Sequence, residues 1–284
     1  MRPTAKRNRV RMMRLRRNPM GRRLSLICGA LVLIAACERL SAEPSAQAAE
    51  AFNKYVAAVE SRLAQQHAFT GAFMATLATD PQNAARLRNG ELIVEQIKPL
   101  GEMELPGAML HHWRGAAFMP GAKSADFERL MRDYQGYSRY YAPDVQSATV
   151  LEHDGDHYRV KMRVRQKHVI TVVLDTTYDV TFGRLDAGRS YSLSRSTAVA
   201  EIENAGTSSE RALGPNEEHG FLWTLNTYWS SEERDGGLYI EIESVSLTRS
   251  IPYGLGWAVG PFVESVPRES LEFTLRATRD ALKK

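Results

Sequence analysis

Tyr158 to Phe182, YRVKMRVRQKHVITVVLDTTYDVTF, holds two strand-like runs back to back with a few polar residues between them. In the first, Tyr158, Val160, Met162 and Val164 alternate with Arg159, Lys161, Arg163 and Arg165. A period of two sends one set to a core and the other to water. In the second, Ile170, Val172, Leu174, Tyr178, Val180 and Phe182 keep the same beat, with Thr176 as the soft member. Its other face carries Thr171, Val173, Asp175, Thr177, Asp179 and Thr181. A basic outer row beside an acidic one predicts cross-strand ion pairs in an antiparallel sheet. Such a sheet has one wet and one apolar face, and something must cover the apolar side.

The cover is sought outward from this stretch. Downstream, strands are expected at 189–202, 219–232 and 237–249, joined by the polar loop 203–218 and by Asp235-Gly236-Gly237. Pro267 then reads as the first turn of a helix to Ala281, with Leu271, Leu275, Thr278 and Leu282 in one stripe and Phe273 flanking it. Upstream, Asp154-Gly155 predicts a hairpin turn from a strand at Val145–Glu152. Ser124 reads as the cap of a helix bearing Phe127, Leu130, Met131 and Tyr134, and a shorter piece through Tyr137, Tyr140 and Tyr141 stops at Pro143. Met109–Met119 is a strand ended by Pro120-Gly121. Before it, Phe52, Tyr55, Val56, Val59 and Leu63 predict a helix over 51–67, Asp80-Pro81 a helix start, Asn89-Gly90 a stop, and Glu91–Ile97 a strand.

The order is strand, helix or helix pair, five or six meandering strands, long C-terminal helix. Carried by Trp113–Phe118, Phe127–Tyr141, the rows of 158–182, Phe221–Trp229 and Glu269–Leu282, this order resembles the START-like, or SRPBCC, helix-grip superfamily over about residues 108–282. The resemblance implies an α+β fold in which a curved antiparallel sheet wraps the C-terminal helix and leaves a cavity for a hydrophobic ligand. Its members include lipid carriers, polyketide cyclases, quinone-binding proteins and dioxygenase subunits, so it implies a pocket and little about chemistry. The expected domains are 1–42, an export signal or anchor; 43–107, an N-terminal extension; and 108–284, the helix-grip domain.

Of 37 Lys and Arg residues, ten lie in residues 1–23 without an acid. The remaining 27 face 33 Asp and Glu, about −6, which argues against nucleic acid as a partner of the folded part. The ten precede Leu24–Ala36, an uncharged run of 13 residues, too short to span a bilayer and right for a secretory h-region. Ile34-Ala35-Ala36-Cys37 resembles a bacterial lipobox, with Cys37 as the lipidated residue; cuts after Ala42 or Ala48 are alternatives. The expected location is the cell envelope or periplasm, tethered through the N-terminal segment. Cys28 and Cys37 are the only cysteines, so no disulfide is expected in the body.

Within the sheet the candidate ligand-lining residues are Trp113, Tyr178, Arg195, Trp223, Tyr253, Trp257 and Phe273, with Arg195 as an anion anchor and Pro252–Phe262 as a gate over the cavity mouth. Bland packing competes with ligand contact at each, and a bulge in 189–202 would decide where Arg195 points. His153-Asp154-Gly155-Asp156-His157 has the residue types of a metal site, but it sits on the hairpin tip with no distant ligand, and turn chemistry is the better reading. His111 and His112 must point to opposite faces of their strand. No HExxH, G-x-S-x-G or Walker loop occurs. No catalytic residue, metal or cofactor is assigned. Binding of a lipid, quinone or polyketide-like molecule is the leading function; a cyclase- or hydrolase-like enzyme in the same pocket, or an envelope scaffold with a filled groove, are the alternatives.

Overall fold

The computed structural model describes residues 43–99, 103–167, 171–250 and 256–283, with side chains from 265 onward in the last segment. Residues 41–284 form one compact unit, apart from 1–40. The export signal with Cys28 and Cys37 lies outside the described residues.

The elements run α1 (Ala46–His67), α2 (Ala75–Thr79), α3 (Asn83–Arg88), β1 (Ile93–Gln96), β2 (Ala108–Pro120), α4 (Ser124–Arg132), α5 (Tyr137–Tyr140), β3 (Val145–Asp154), β4 (His157–Lys167), β5 (Thr171–Asp186), β6 (Arg189–Glu203), β7 (Arg211–Ala212), β8 (Thr224–Arg234), β9 (Gly237–Arg249) and α6 (Gly256–Leu282). The strands make one curved antiparallel sheet in the order β1-β2-β9-β8-β6-β5-β4-β3, with β7 beside β6. The alternating stretch forms the β4–β5 pair, and its outer rows join as Arg163–Asp175 at 2.6 Å, Lys161–Asp175 at 3.1 Å and Arg159–Asp179 at 3.9 Å.

Around β2, β9, β8 and the start of β6 the sheet is covered on both faces, while the outer rows of β3 and β4 stay exposed. On the inner face, Ala117, Met119, Tyr178, Val180, Phe182, Trp229, Leu238, Ile240 and Ile242 pack with Leu271 and Leu275 of α6 and with Phe127 and Met131 of α4. The closest approach is at Gly115, where a Cβ would stand 2.7 Å from Leu275 and 3.0 Å from Leu271. On the outer face, Phe52, Val56, Val59 and Leu63 of α1 pack on Ala108, Tyr228, Val245 and Leu247. Ser45 starts that helix by accepting from the Ala48 backbone N–H at 3.1 Å. Segment 43–107 therefore covers the back of the sheet with α1 and extends its edge with β1.

Four expectations are corrected. Helix α6 begins at Gly256, so Pro267 lies inside it and not in its first turn. Proline carries no N–H, and position 267 therefore forgoes one helical hydrogen bond. Of the segment expected as a gate, 256–262 belongs to this helix, Trp257 included, while Tyr253 lies outside the described residues. The strand expected from 219 begins at Thr224, because the buried carboxylate of Glu201 accepts from the backbone N–H groups of His219 (2.9 Å) and Phe221 (3.0 Å) and draws 219–221 out of the ladder. At α4 the cap position is Lys123 and not Ser124; Asp126 accepts from the Lys123 N–H, and Glu233 from the Ser124 N–H at 3.2 Å.

Candidate functional site: the inner face of the sheet

Strand register places the inner-facing side chains in rows across the sheet. One row runs Gly115, Ile242, Trp229, Ser192, Phe182, and Leu271 and Leu275 seal it. The next runs Trp113, Ser244, Thr227, Ser194, Val180. Here Trp113, Ser244, Thr227 and Ser194 are half-buried, so the apolar packing gives way to a band of hydroxyls. The Trp113 indole Nε1 is buried with no hydrogen-bond partner. A third row runs His111, Ser246, Leu225, with Ser196, Tyr178 and Val160 continuing it across β6, β5 and β4. His111 Nε2 lies 3.1 Å from Thr248 Oγ1, and Ser196 Oγ accepts from the Leu225 N–H at 2.9 Å. The face thus passes from sealed apolar packing through one half-buried band of hydroxyls to a third row in which His111, Ser246, Tyr178 and Val160 are buried again.

The candidate residues fall on different sides of this sheet. Trp113 and Tyr178 are inner-facing, and burial pushes the Tyr178 phenol pKa up. Arg195 is not an inner anchor: it faces α1, where its guanidinium donates to both oxygens of Glu60 at 2.6 and 2.7 Å. The cause is the beat of β6, whose inner positions are Ser190, Ser192, Ser194 and Ser196 while Tyr191, Leu193 and Arg195 take the outer row. The bulge follows at Thr197, between the pairs Tyr178–Ser196 and Thr177–Ala198. Trp223 packs with the α1 cluster and does not line the inner face. Phe273 packs with Tyr134, Tyr137 and Tyr141. It lines a depression of about 240 Å³ between α5 and α6 with Arg139, Tyr140, Arg276 and Asp280.

The histidine-rich hairpin tip uses its side chains locally. His153 Nε2 donates to the Gly155 carbonyl at 2.9 Å, Asp156 pairs with Arg132 at 2.6 Å, and His157 Nδ1 lies 3.1 Å from Thr181 Oγ1. Gly155, with φ +56°, makes the turn. Among the described residues no cluster of three or more His, Cys, Asp or Glu has the spacing of a metal site.

Sequence reasoning missed a buried charged network behind the sheet. Glu243 accepts from His112 Nε2 at 2.7 Å and from Arg114 Nε at 3.0 Å, and it pairs with Arg62 of α1. A carboxylate can only accept, so His112 carries a proton on Nε2, and its Nδ1 lies 2.6 Å from the Tyr55 hydroxyl oxygen. Burial disfavours the Glu243 charge, but the His112 hydrogen bond and the Arg114 and Arg62 charges outweigh it and hold the carboxyl at about 2. Glu241, also buried, accepts from the Ala75 and Thr76 backbone N–H groups at the start of α2. Burial, then the nearby Arg62 charge, lowers His67 to about 4, and its Nε2 lies 2.8 Å from Ser230 Oγ.

A hydroxyl–imidazole–carboxylate chain is also the arrangement that activates nucleophiles. Here burial and then Glu243 push the Tyr55 pKa up, which keeps the phenol protonated, and its helix is the cover itself. The chain fastens α1 to the sheet. Its signal in the sequence was the β9 row Tyr239, Glu241, Glu243, Val245, Leu247, where carboxylates share one face with large apolar residues. A wet face would not hold Val245 and Leu247 together with Tyr239.

A single antiparallel sheet with an α-helical pair after its second strand and the last helix seated on its inner face is the helix-grip layout. The fold is a helix-grip α+β fold. No protein-family model matches this chain, and no curated relative does. Solved structures similar to it include the Zhui aromatase/cyclase from Streptomyces sp. R1128, at 12% identity over 62% of this chain and 94% of that one, TM-score 0.43. A STAR-related lipid transfer protein from Xanthomonas axonopodis matches at 16% over 67% and 99%, TM-score 0.42. Human STARD10 matches at 8% over 70% and 79%, TM-score 0.41. These are likenesses of fold at low identity.

Proposed function

We propose that this chain binds a hydrophobic or amphipathic small molecule on the inner face of its sheet, beside α6. The observation that carries the reading is the half-buried row Trp113, Ser244, Thr227, Ser194 lying next to a row that α6 seals. A ligand lying along it would remove apolar surface from water at about 25 cal/mol per Å² and meet hydroxyls that fix its orientation. The basic, then apolar, N-terminal pattern ending at Cys37 supports export to the cell envelope, with the N-terminal segment as tether. The names of the fold neighbours, a lipid transfer protein and an aromatase/cyclase, are in keeping with such a ligand.

The test is native mass spectrometry, with solvent extraction, of the chain purified from an envelope fraction. A stoichiometric apolar adduct is the expected result. An unliganded mass after exposure to envelope lipids and quinones would overturn the reading. It would favour the scaffold, for which the contact of Leu271 and Leu275 with Gly115 already speaks in one half of the groove.

A further inference from the structure

The inner face differs from the outer face in charge as well as in shape. The outer face carries Arg114, Glu243, Glu241, Arg195, Asp175 and Arg163. The three inner rows contain, among the described residues, no Asp, Glu, Lys or Arg: from Trp113 to Val180, from His111 to Val160 and from Gly115 to Phe182, the polar groups are hydroxyls, the Trp113 indole and His111. Two charged groups near these rows are already engaged. Glu201, on the inner side of β6 past the bulge, is saturated by His219 and Phe221; Arg132, over the Phe182 ring at 4.1 Å, is paired with Asp156.

A charged head group placed on this band would leave water without a counter-charge among the described residues of the three rows, and that cost is large. A hydroxyl or carbonyl oxygen would exchange its water for Ser194, Thr227 or Ser244 at little net cost. Resting on the binding role proposed above, we infer that the group this band receives is uncharged: the ligand is a neutral lipid-like molecule bearing a hydroxyl or carbonyl oxygen, and not a fatty acid, a phospholipid head group or a cationic amphiphile.

Three probes with the same sixteen-carbon chain separate the possibilities: hexadecanol, hexadecanoate and hexadecylamine, titrated onto the full chain at pH 7.5 with tryptophan fluorescence and native mass spectrometry as readouts. The expected order is hexadecanol tighter than both ions by about tenfold or more, since an unpaired buried charge outweighs a lost hydroxyl contact. Thr227→Val with Ser244→Ala should weaken hexadecanol several-fold and leave the ions unchanged. Ser244→Lys should reverse the order in favour of hexadecanoate, and far-ultraviolet circular dichroism shows whether each variant is folded. If hexadecanoate or hexadecylamine binds the native chain as well as hexadecanol does, the inference of a neutral ligand is wrong while the binding role stands. If none of the three binds, the binding role fails, and this inference with it.

Discussion

Replacing Glu243 by Gln should destabilise the chain by about 3–5 kcal/mol at pH 7, far more than the removal of an exposed carboxylate would. The side chain of Glu243 is 2% exposed and that of Arg114 10%, so the substitution leaves a buried guanidinium facing a neutral amide. The pKa gives an independent magnitude. Held at about 2 against an ordinary 4.5, the ionised carboxylate contributes about 3 kcal/mol. A carboxyl whose folded pKa is depressed contributes fully above its unfolded pKa and loses that contribution as pH falls toward the folded one. The gap between native chain and variant should therefore be full at pH 7 and narrower by about 1 kcal/mol at pH 3.5. Urea unfolding followed by fluorescence and circular dichroism measures it. Glu152→Gln is the control, because Glu152 is exposed and its contact with Arg159 is 3.4 Å long. A Glu243→Gln cost no larger than the control's would refute the account of α1 as a cover fastened by buried charge.

Other outcomes follow from the same geometry. His67, lowered to about 4 by burial and Arg62, should cost the native chain about 2–3 kcal/mol as pH falls from 6.5 to 4.5, where the unfolded histidine takes a proton that the folded one refuses; in His67→Gln this part of the acid limb should flatten in a urea series. Gly115→Val should lower stability by about 1–3 kcal/mol in thermal melts, because its side chain would enter the Leu271–Leu275 contact. Arg195→Gln should cost about 1 kcal/mol or less and leave ligand affinity unchanged, since it removes a half-exposed pair with Glu60 on the far face. Glu201→Gln should speed hydrogen exchange at the His219 and Phe221 amides while sparing β8, which mass-resolved exchange would show.

The architecture was legible because it is written in periods of two and of 3.6. Tyr158–Val164 and Leu174–Phe182 fixed the β4–β5 pair and its ion pairs, and Leu271, Leu275 and Thr278 marked the buried stripe of α6. The site was less legible, for physical reasons. In β6 the apolar beat of Tyr191 and Leu193 points to α1, while a serine row takes the inner face, so a reading that sends apolar residues inward puts Arg195 on the wrong face. That inversion is possible only because both faces are covered there. Helix α1 lies some 180 residues from Glu243 in sequence, and no local pattern near β9 announces the Arg62 that reaches it. Pro267 misled differently: proline favours first turns, and here the helix continues through it at the loss of one backbone hydrogen bond.

The most direct test of a ligand site on the inner face is photo-labelling with a neutral diazirine-bearing sixteen-carbon alcohol, followed by peptide mapping of the modified residues. The account predicts labels on Trp113, Ser194, Thr227 or Ser244 and their row neighbours, displaced by unlabelled hexadecanol. Labels confined to the α1 face, at Tyr228, Val245 or Leu247, or labels that excess alcohol does not displace, would contradict it.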